Sequence, residues 1–311
     1  MPTSTGILFN MARQNAAYPG EWKWKGWLYL GPGLIIYLVF VFVPLIGTLL
    51  NSLFKWDGFS VNREFILFEN FKNLFADSQF LTALRNNLIF VVFFCVLPII
   101  IGLFLASLLG RTPLRGLTFY RTVLFLPQII SMVVIGVIWR WMFNPAFGPI
   151  NLILKTIGLG AFTRTWLGDF TWALPSVGTV GTWVQFGFCM LLFLAGMQRI
   201  SDEYYEASSL DGASAFQQLL SITIPSLRPE IGVALITTIV AALRVFDLVF
   251  VTTRGGPGEA TLVTGFLIYR TAFVQKNYGY ASAIAVILTL VILTISLIIR
   301  RFQNQNEEAS K

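Results

Sequence analysis

The chain has 311 residues, of which 56% are hydrophobic and only 12% charged. A soluble domain carries about 25% charged residues, so this composition belongs to a membrane protein, and the net charge of +7, spread singly over loops, points to anionic lipid headgroups rather than nucleic acid. The absence of histidine excludes His-dependent catalytic triads and His metal sites.

In chain order, residues 1–26 are polar and mixed, with Arg13, Lys23, Lys25, Trp22 and Trp24 ahead of the first apolar run. They lack the small-residue cleavage pattern of a signal peptide, so the run that follows is read as an uncleaved first span. Trp27 to Phe54 holds no charge, and at about 1.5 Å per residue it crosses a core of about 30 Å with length to spare. Pro32 and Pro44 are kink candidates within it. Residues 55–85 form a polar loop in which Phe71, Leu74, Phe75 and Phe80 recur at helical intervals, the pattern of an interfacial amphipathic helix.

Further spans are expected at about 87–110, 119–141, 172–198, 230–252 and 277–299, after a first one at about 28–52. A basic link with Arg111, Arg115 and Arg121 follows the second, and FLPQIIS lies near the start of the third. Arg244 and Asp247 interrupt the fifth, and Arg254-Gly255-Gly256-Pro257 ends it as a tight turn. The piece TLVTGFLIYRTAF is apolar and helix-like but too short and too flanked by charge to be read as a span. Cys95 and Cys189 fall inside apolar runs and say nothing of a redox compartment. With a cytoplasmic N-terminus, Lys and Arg number 11 on the cytoplasmic side and 10 on the other, so the totals do not fix orientation, although the short second loop is the denser.

Residues 201–229 are a polar, helix-patterned interruption between the fourth and fifth spans. Ser201 can cap a helix, Asp202 and Glu203 suit its first turn, and Gly212 lets the chain break after about three turns. A second short helix then presents Phe216, Leu219, Leu220 and Ile224 as its expected buried side, and Pro225 and Pro229 force an exit. Glu206-Ala207-Ser208, then Gly212, then Ile224-Pro225 resembles, at full spacing, the EAA loop of the membrane subunits of bacterial ABC importers. FYRTVLFLPQ, FNPAFGPIN, FDLVFVTTRGGP and GYASAIAV extend the resemblance over roughly residues 28–300, toward the carbohydrate-uptake branch typified by maltose and glycerol-phosphate permeases.

The resemblance implies an all-α integral membrane protein with six transmembrane helices, the type I ABC importer fold, in the bacterial cytoplasmic (inner) membrane with both termini cytoplasmic. Residues 1–26 would then be a cytoplasmic segment, 27–300 the permease domain and 301–311 a cytoplasmic tail. It also implies a heterodimer with a second permease subunit, two ATPase subunits, an extracytoplasmic solute-binding protein and a carbohydrate cargo. The loop would be the coupling helix, with Glu206, Ala207, Ser208, Asp211, Gly212, Ile224 and Pro225 at the ATPase contact. No Gly-x-x-x-x-Gly-Lys-Ser/Thr loop is present, so ATP and Mg belong on the partner ATPases and this chain is expected to bind no cofactor and catalyse nothing.

Placed in register from the coupling Glu, the family's solute contacts fall on Gly181, Val184, Gln185 and Phe188, beside Trp183, and on Thr238, Ala242 and Val245. An aromatic ring beside an amide suits a sugar, while packing of one helix on another explains the same polarity equally. Thr238, Ala242 and Val245 depart from the family, whose residues there are more polar. Arg244 and Asp247, three apart, are either a mutually neutralising pair or solute ligands. Gln128 and Ser131 are weaker candidates. The competing classes are a channel or ion-coupled carrier, for which one Arg–Asp pair is a thin basis, and an intramembrane enzyme, for which only Asp247 is available as a membrane carboxylate.

Overall fold

A computed structural model of the chain describes residues 24–111 and 116–308; Arg13, Trp22, Lys23, Arg115 and the end of the tail, all named above, lie outside them. The chain divides into two units, ending and beginning at Leu50 and Asn51. The first consists, in its described part, of helix α1 (residues 24–51, the last residue belonging to the second unit). Pro32 is carried inside the helix, and a π turn at Leu38–Phe42 stands just before Pro44. Proline cannot donate to the carbonyl four residues back, and a widened turn accommodates the missing bond.

The second unit opens with a minimal antiparallel pair, β1 (Phe54–Lys55) and β2 (Glu64–Phe65), then α2 (Glu69–Ala76) and α3 (residues 78–111). The single amphipathic helix expected through Phe71, Leu74, Phe75 and Phe80 is thus divided. Asp77 is extended (ψ 112°), and its carboxylate accepts from Gln79 N at 2.8 Å, so it caps α3 and turns Phe80 and Ala83 into the buried start of a long apolar helix. A π turn at Val92–Val96 interrupts α3, and Thr182 Oγ1 donates to Phe93 O at 2.6 Å within it.

The expected third span is also not one straight helix. Helices α4 (Leu117–Ile129) and α5 (Met132–Met142) bend by 96° at Ile130 and Ser131, both extended. Pro127 withholds one hydrogen bond just before the break, and the extended pair ends the ladder. After α6 (Pro149–Thr156) comes α7 (Ala173–Met197), the most buried helix of the unit, then α8 (Asp202–Leu210), α9 (residues 215–226), α10 (Arg228–Leu243), α11 (Asp247–Thr252), α12 (residues 264–274) and α13 (Tyr278–Glu308). Among the described residues, five helical stretches are long and apolar enough to cross a membrane, or six if the bent α4–α5 pair counts as one.

Two apolar cores hold the unit. The larger gathers Phe90, Phe94, Val180, Leu248 and Leu262, and the smaller Ala106, Cys189, Met190, Phe193 and Leu227. Small residues let helices close in: a Cβ on Gly102 of α3 would lie 2.6 Å from Cys189 Cβ of α7. Hydrogen bonds sort the helix ends. At one end Gly279 N donates to Trp56 O (3.0 Å), Tyr280 Oη to Asp77 (2.7 Å) and Gln79 Nε2 to Glu259 (2.5 Å). At the same end as the start of α7, Trp172 meets Trp166, which meets Phe143 just past α5. At the other end Arg199 pairs with Glu230, the Gln303 side chain lies against Gly232, and Gly110 shares a cavity wall with Tyr205 and Glu206.

Candidate coupling knob and solute cavity

The 201–229 stretch is a closed polar knob. Ser201 accepts from Glu203 N at the start of α8, whose first turn carries Asp202 and Glu203. Its far end turns back through Gly212 at φ 81°, a left-handed conformation that costs an L side chain about 1–2 kcal/mol. Ala213 N donates to Ser208 O at 2.9 Å there. Ser214 and Gln217 then form a reciprocal capping box that starts α9.

The two helices are joined by polar groups rather than by an apolar face. Tyr205 Oη and Thr223 Oγ1 share a hydrogen bond of 3.0 Å, and Gln218 Nε2 reaches Ser209 Oγ at 2.8 Å. Gln218 and Thr223 are buried, with Leu227 beyond them, whereas Phe216 is 67% and Leu220 51% exposed. The expected buried side of Phe216, Leu219, Leu220 and Ile224 is therefore corrected for Phe216 and Leu220, while Leu219 and Ile224 are half-buried. The capping box sets the phase of α9, a π turn at Leu219–Thr223 shifts it further, and Gln218 turns inward to serve Ser209 and Tyr205. Glu206, Ala207, Asp211 and Gly212 are exposed, Ser208, Ile224 and Pro225 half-buried. Glu206 and Leu210 line an open cavity of about 650 Å³ with Asp202 and Gly110.

The solute candidates separate into two groups. Gly181, Val184, Thr238 and Ala242 are packed in the chain's own interior: a side chain on Gly181 would meet the ring of Phe94, and Thr238 returns its hydroxyl to Ala234 O at 2.7 Å. Gln185 is buried too, at 6% exposure, and among the described residues neither its Oε1 nor that of Gln128 has a hydrogen-bond partner. Ser131 is exposed at the α4–α5 bend. Phe188 is half-buried beside the smaller core, and Trp183 is 36% exposed, its ring edge-on to Trp139 at 5.6 Å.

Arg244, Val245 and Asp247 lie together on a cavity of about 390 Å³ with Phe94, Met132, Thr237 and Phe246. The expected Arg244–Asp247 pairing on one helix face does not form: among the described residues the one ion pair is Arg199–Glu230. The physical reason is a break in the fifth span. Arg244 caps the end of α10, Phe246 leaves helical geometry (φ −138°), and Asp247 opens α11, so the two charges no longer share a helical turn.

The break is held by Asn87, a residue the sequence reading passed over. Fully buried, it donates to Ala242 O (3.0 Å) and Leu243 O (3.2 Å), the carbonyls freed by the break, and accepts from Thr264 N (2.8 Å) and Oγ1 (2.6 Å). The available signal was an Asn-Asn pair opening an uncharged run, since an amide in an apolar helix needs partners. Asn86 works alongside, donating to Leu262 O at 2.9 Å and Glu259 O at 3.2 Å.

Residues 98–307, the portion holding the knob, the broken span and α13, match the family described as binding-protein-dependent transport system inner membrane component. The chain belongs to this family. Its permease fold extends beyond the match: the probable ABC transporter permease protein YurN of Bacillus subtilis is 38% identical over 299 residues, covering 96% of this chain and all of that one. The diacetylchitobiose uptake system permease protein NgcF of Streptomyces coelicolor is 34% identical, covering 91% of this chain and 84% of that one. A chain of a bacterial alginate ABC transporter, solved in complex with alginate pentasaccharide-bound periplasmic protein, superposes with a TM-score of 0.77 at 25% identity, covering 91% of this chain and 94% of that one. This chain is thus a multi-pass permease component of a binding-protein-dependent ABC importer, a transport subunit rather than an enzyme.

Proposed function

We propose that this permease moves a carbohydrate inward as one half of a heterodimer with a second permease subunit, driven by two ATPase subunits that dock on the 201–229 knob. The observation that carries this reading is the knob itself. Its two helices are fixed to each other through Tyr205, Gln218 and Thr223, while Glu206, Leu210 and Phe216 are turned outward. A braced projection with exposed apolar tips and the exposed carboxylates of Asp202, Glu203, Glu206 and Asp211 suits a cleft in another subunit.

In this reading the knob is cytoplasmic. Gln303, near the end of α13, lies at the knob end of the bundle, which supports a cytoplasmic C-terminal tail. Arg121 of α4, on a cavity with Gly110, Asp202 and Tyr205 at the knob end, and Phe143 among the aromatic residues near the start of α7 support counting the bent α4–α5 pair as one crossing, six in all with α1. An even number returns the N-terminus to the cytoplasm as well. ATP and Mg reside on the partners, since the sequence offers no phosphate-binding loop.

The solute pathway runs past Trp183, Gln185 and Phe188 of α7 and the cavity of Arg244, Val245 and Asp247, with Gly181, Val184, Thr238 and Ala242 packed behind it. Aromatic surface beside one guanidinium and one carboxylate offers a sugar both a stacking face and paired donors and acceptors. The diacetylchitobiose permease and the alginate transporter, similar over nine-tenths of this chain, act on carbohydrates by name.

The test is purification of the tagged chain from its native membrane with a photo-crosslinker at Leu210. The expected result is a co-purified ATPase and second permease, the ATPase carrying the crosslink. A chain that purifies alone, or a crosslink only to the second permease, would refute the docking.

A further inference from the structure

Beneath the knob, the foot of α7 and the foot of α10 are tied by the Arg199–Glu230 ion pair. Glu230 is more than nine-tenths buried, while the Arg199 side chain is 71% exposed. The glutamate is closely boxed: a Cβ on Gly196 of α7 would lie 2.7 Å from Glu230 Cδ and 2.5 Å from Leu227 Cδ2. Two residues on and round another face of α10, Gly232 receives the Gln303 side chain, so α7 and α13 both meet the foot of α10. Among the described residues the second carboxylate oxygen of Glu230 has no hydrogen-bond partner, and Arg199 is the counterion of this desolvated charge.

Both ends of the 201–229 segment enter the bundle at this point, because Arg199 precedes α8 and Glu230 follows α9. Without a tie, a force on the knob would be taken up by flexing of its two connections, one on each side. With the tie, the knob, α7 and α10 shift as one body. We infer that Arg199 and Glu230 are positioning residues for energy coupling, a clasp that passes displacement of the knob to the helix carrying the Arg244 break. The inference rests on the docking proposed above, and it assigns the pair a role beyond holding the fold.

The test uses the complex purified with its ATPase and second permease in lipid vesicles, with Thr237→Cys as a reporter on the cavity wall. The native thiols, Cys95 and Cys189, are both buried. Labelling by a small charged thiol reagent is measured with and without ADP–vanadate. In the parent the nucleotide state is expected to change the labelling rate by about fivefold or more, the lower range of measured coupling between sites. Arg199→Gln and Glu230→Gln should each shrink that ratio to near one with the ATPases still bound, the double variant should be no worse than either single, and Arg199→Lys should keep most of it. Parent-like ratios in both single variants, or losses that multiply in the double, would overturn the clasp. Absence of any nucleotide response in the parent would instead strike the docking on which it rests. If the single variants fail to assemble, Arg199→Lys against Arg199→Met decides: equal ratios in those two would overturn the clasp.

Discussion

Replacing Asn87 with Leu exchanges side chains of similar size at a fully buried site, so the loss is of hydrogen bonds rather than volume. Four bonds vanish, and two groups for which Asn87 is the partner, Thr264 N–H and Leu243 C=O, are stranded where water does not reach. Ala242 O keeps a weak bond from Val245 N at 3.5 Å, and the Thr264 hydroxyl can rotate. A stranded buried donor or acceptor costs about 1–3 kcal/mol, which puts the change at about 2–6 kcal/mol. Thermal unfolding in detergent should fall by on the order of 5 °C or more. Asn86→Leu, which removes only two donated bonds, should fall by less, and Thr237→Ala, whose hydroxyl bonds back within its own helix, should barely move. A melting temperature for Asn87→Leu within 1 °C of the parent, on the order of measurement error, or above that of Asn86→Leu, would refute the reasoning.

Glu206→Lys leaves an exposed position without steric penalty; it should retain folding and melting temperature while losing ATPase co-purification, and unaltered co-purification would count against the knob as docking site. Gly212→Ala meets open space but a φ of 81°, so a loss of about 1–2 kcal/mol is expected and should show as faster proteolysis between α8 and α9. Gly181→Ala drives a methyl into Phe94 and should cost about 1–3 kcal/mol in the melt. The Asp57 carboxyl is held down at about 2 by the N–H groups of Ser60 and Phe59 and the Ser60 hydroxyl. A depressed carboxyl stabilises its turn above the unfolded value of about 3.9 and loses that contribution as pH falls toward 2. Carbon-13 titration of Asp57 should therefore show an ionised side chain at pH about 3.5, where a half-protonated one would contradict the turn geometry.

What could be read from sequence was what neighbours along the chain decide. Ser201, Asp202, Glu203 and Gly212 act within one or two turns, and the structure uses each as local chemistry dictates. The apolar runs likewise declare themselves by length. What escaped depends on groups far away in sequence. The interruption at Arg244–Phe246 is stabilised by Asn87, which reaches Ala242 O across 155 residues of sequence, and Asp77 ends α2 and starts α3 while meeting Tyr280, 203 residues later. The apolar stripe of α9 does not set its orientation, because Gln218 has partners on α8 that outweigh exposure of Phe216 and Leu220. Of the solute candidates, register alone could not distinguish Thr238, packed inward, from Thr237 on the cavity wall.

The most direct measurement concerns the side of the membrane on which the knob stands. With Cys95 and Cys189 buried, a cysteine introduced at Glu206 is the target for a membrane-impermeant maleimide in whole cells. Labelling should occur after the cells are permeabilised and not before. Equal labelling of intact cells would place the knob outside, beyond reach of any cytoplasmic ATPase.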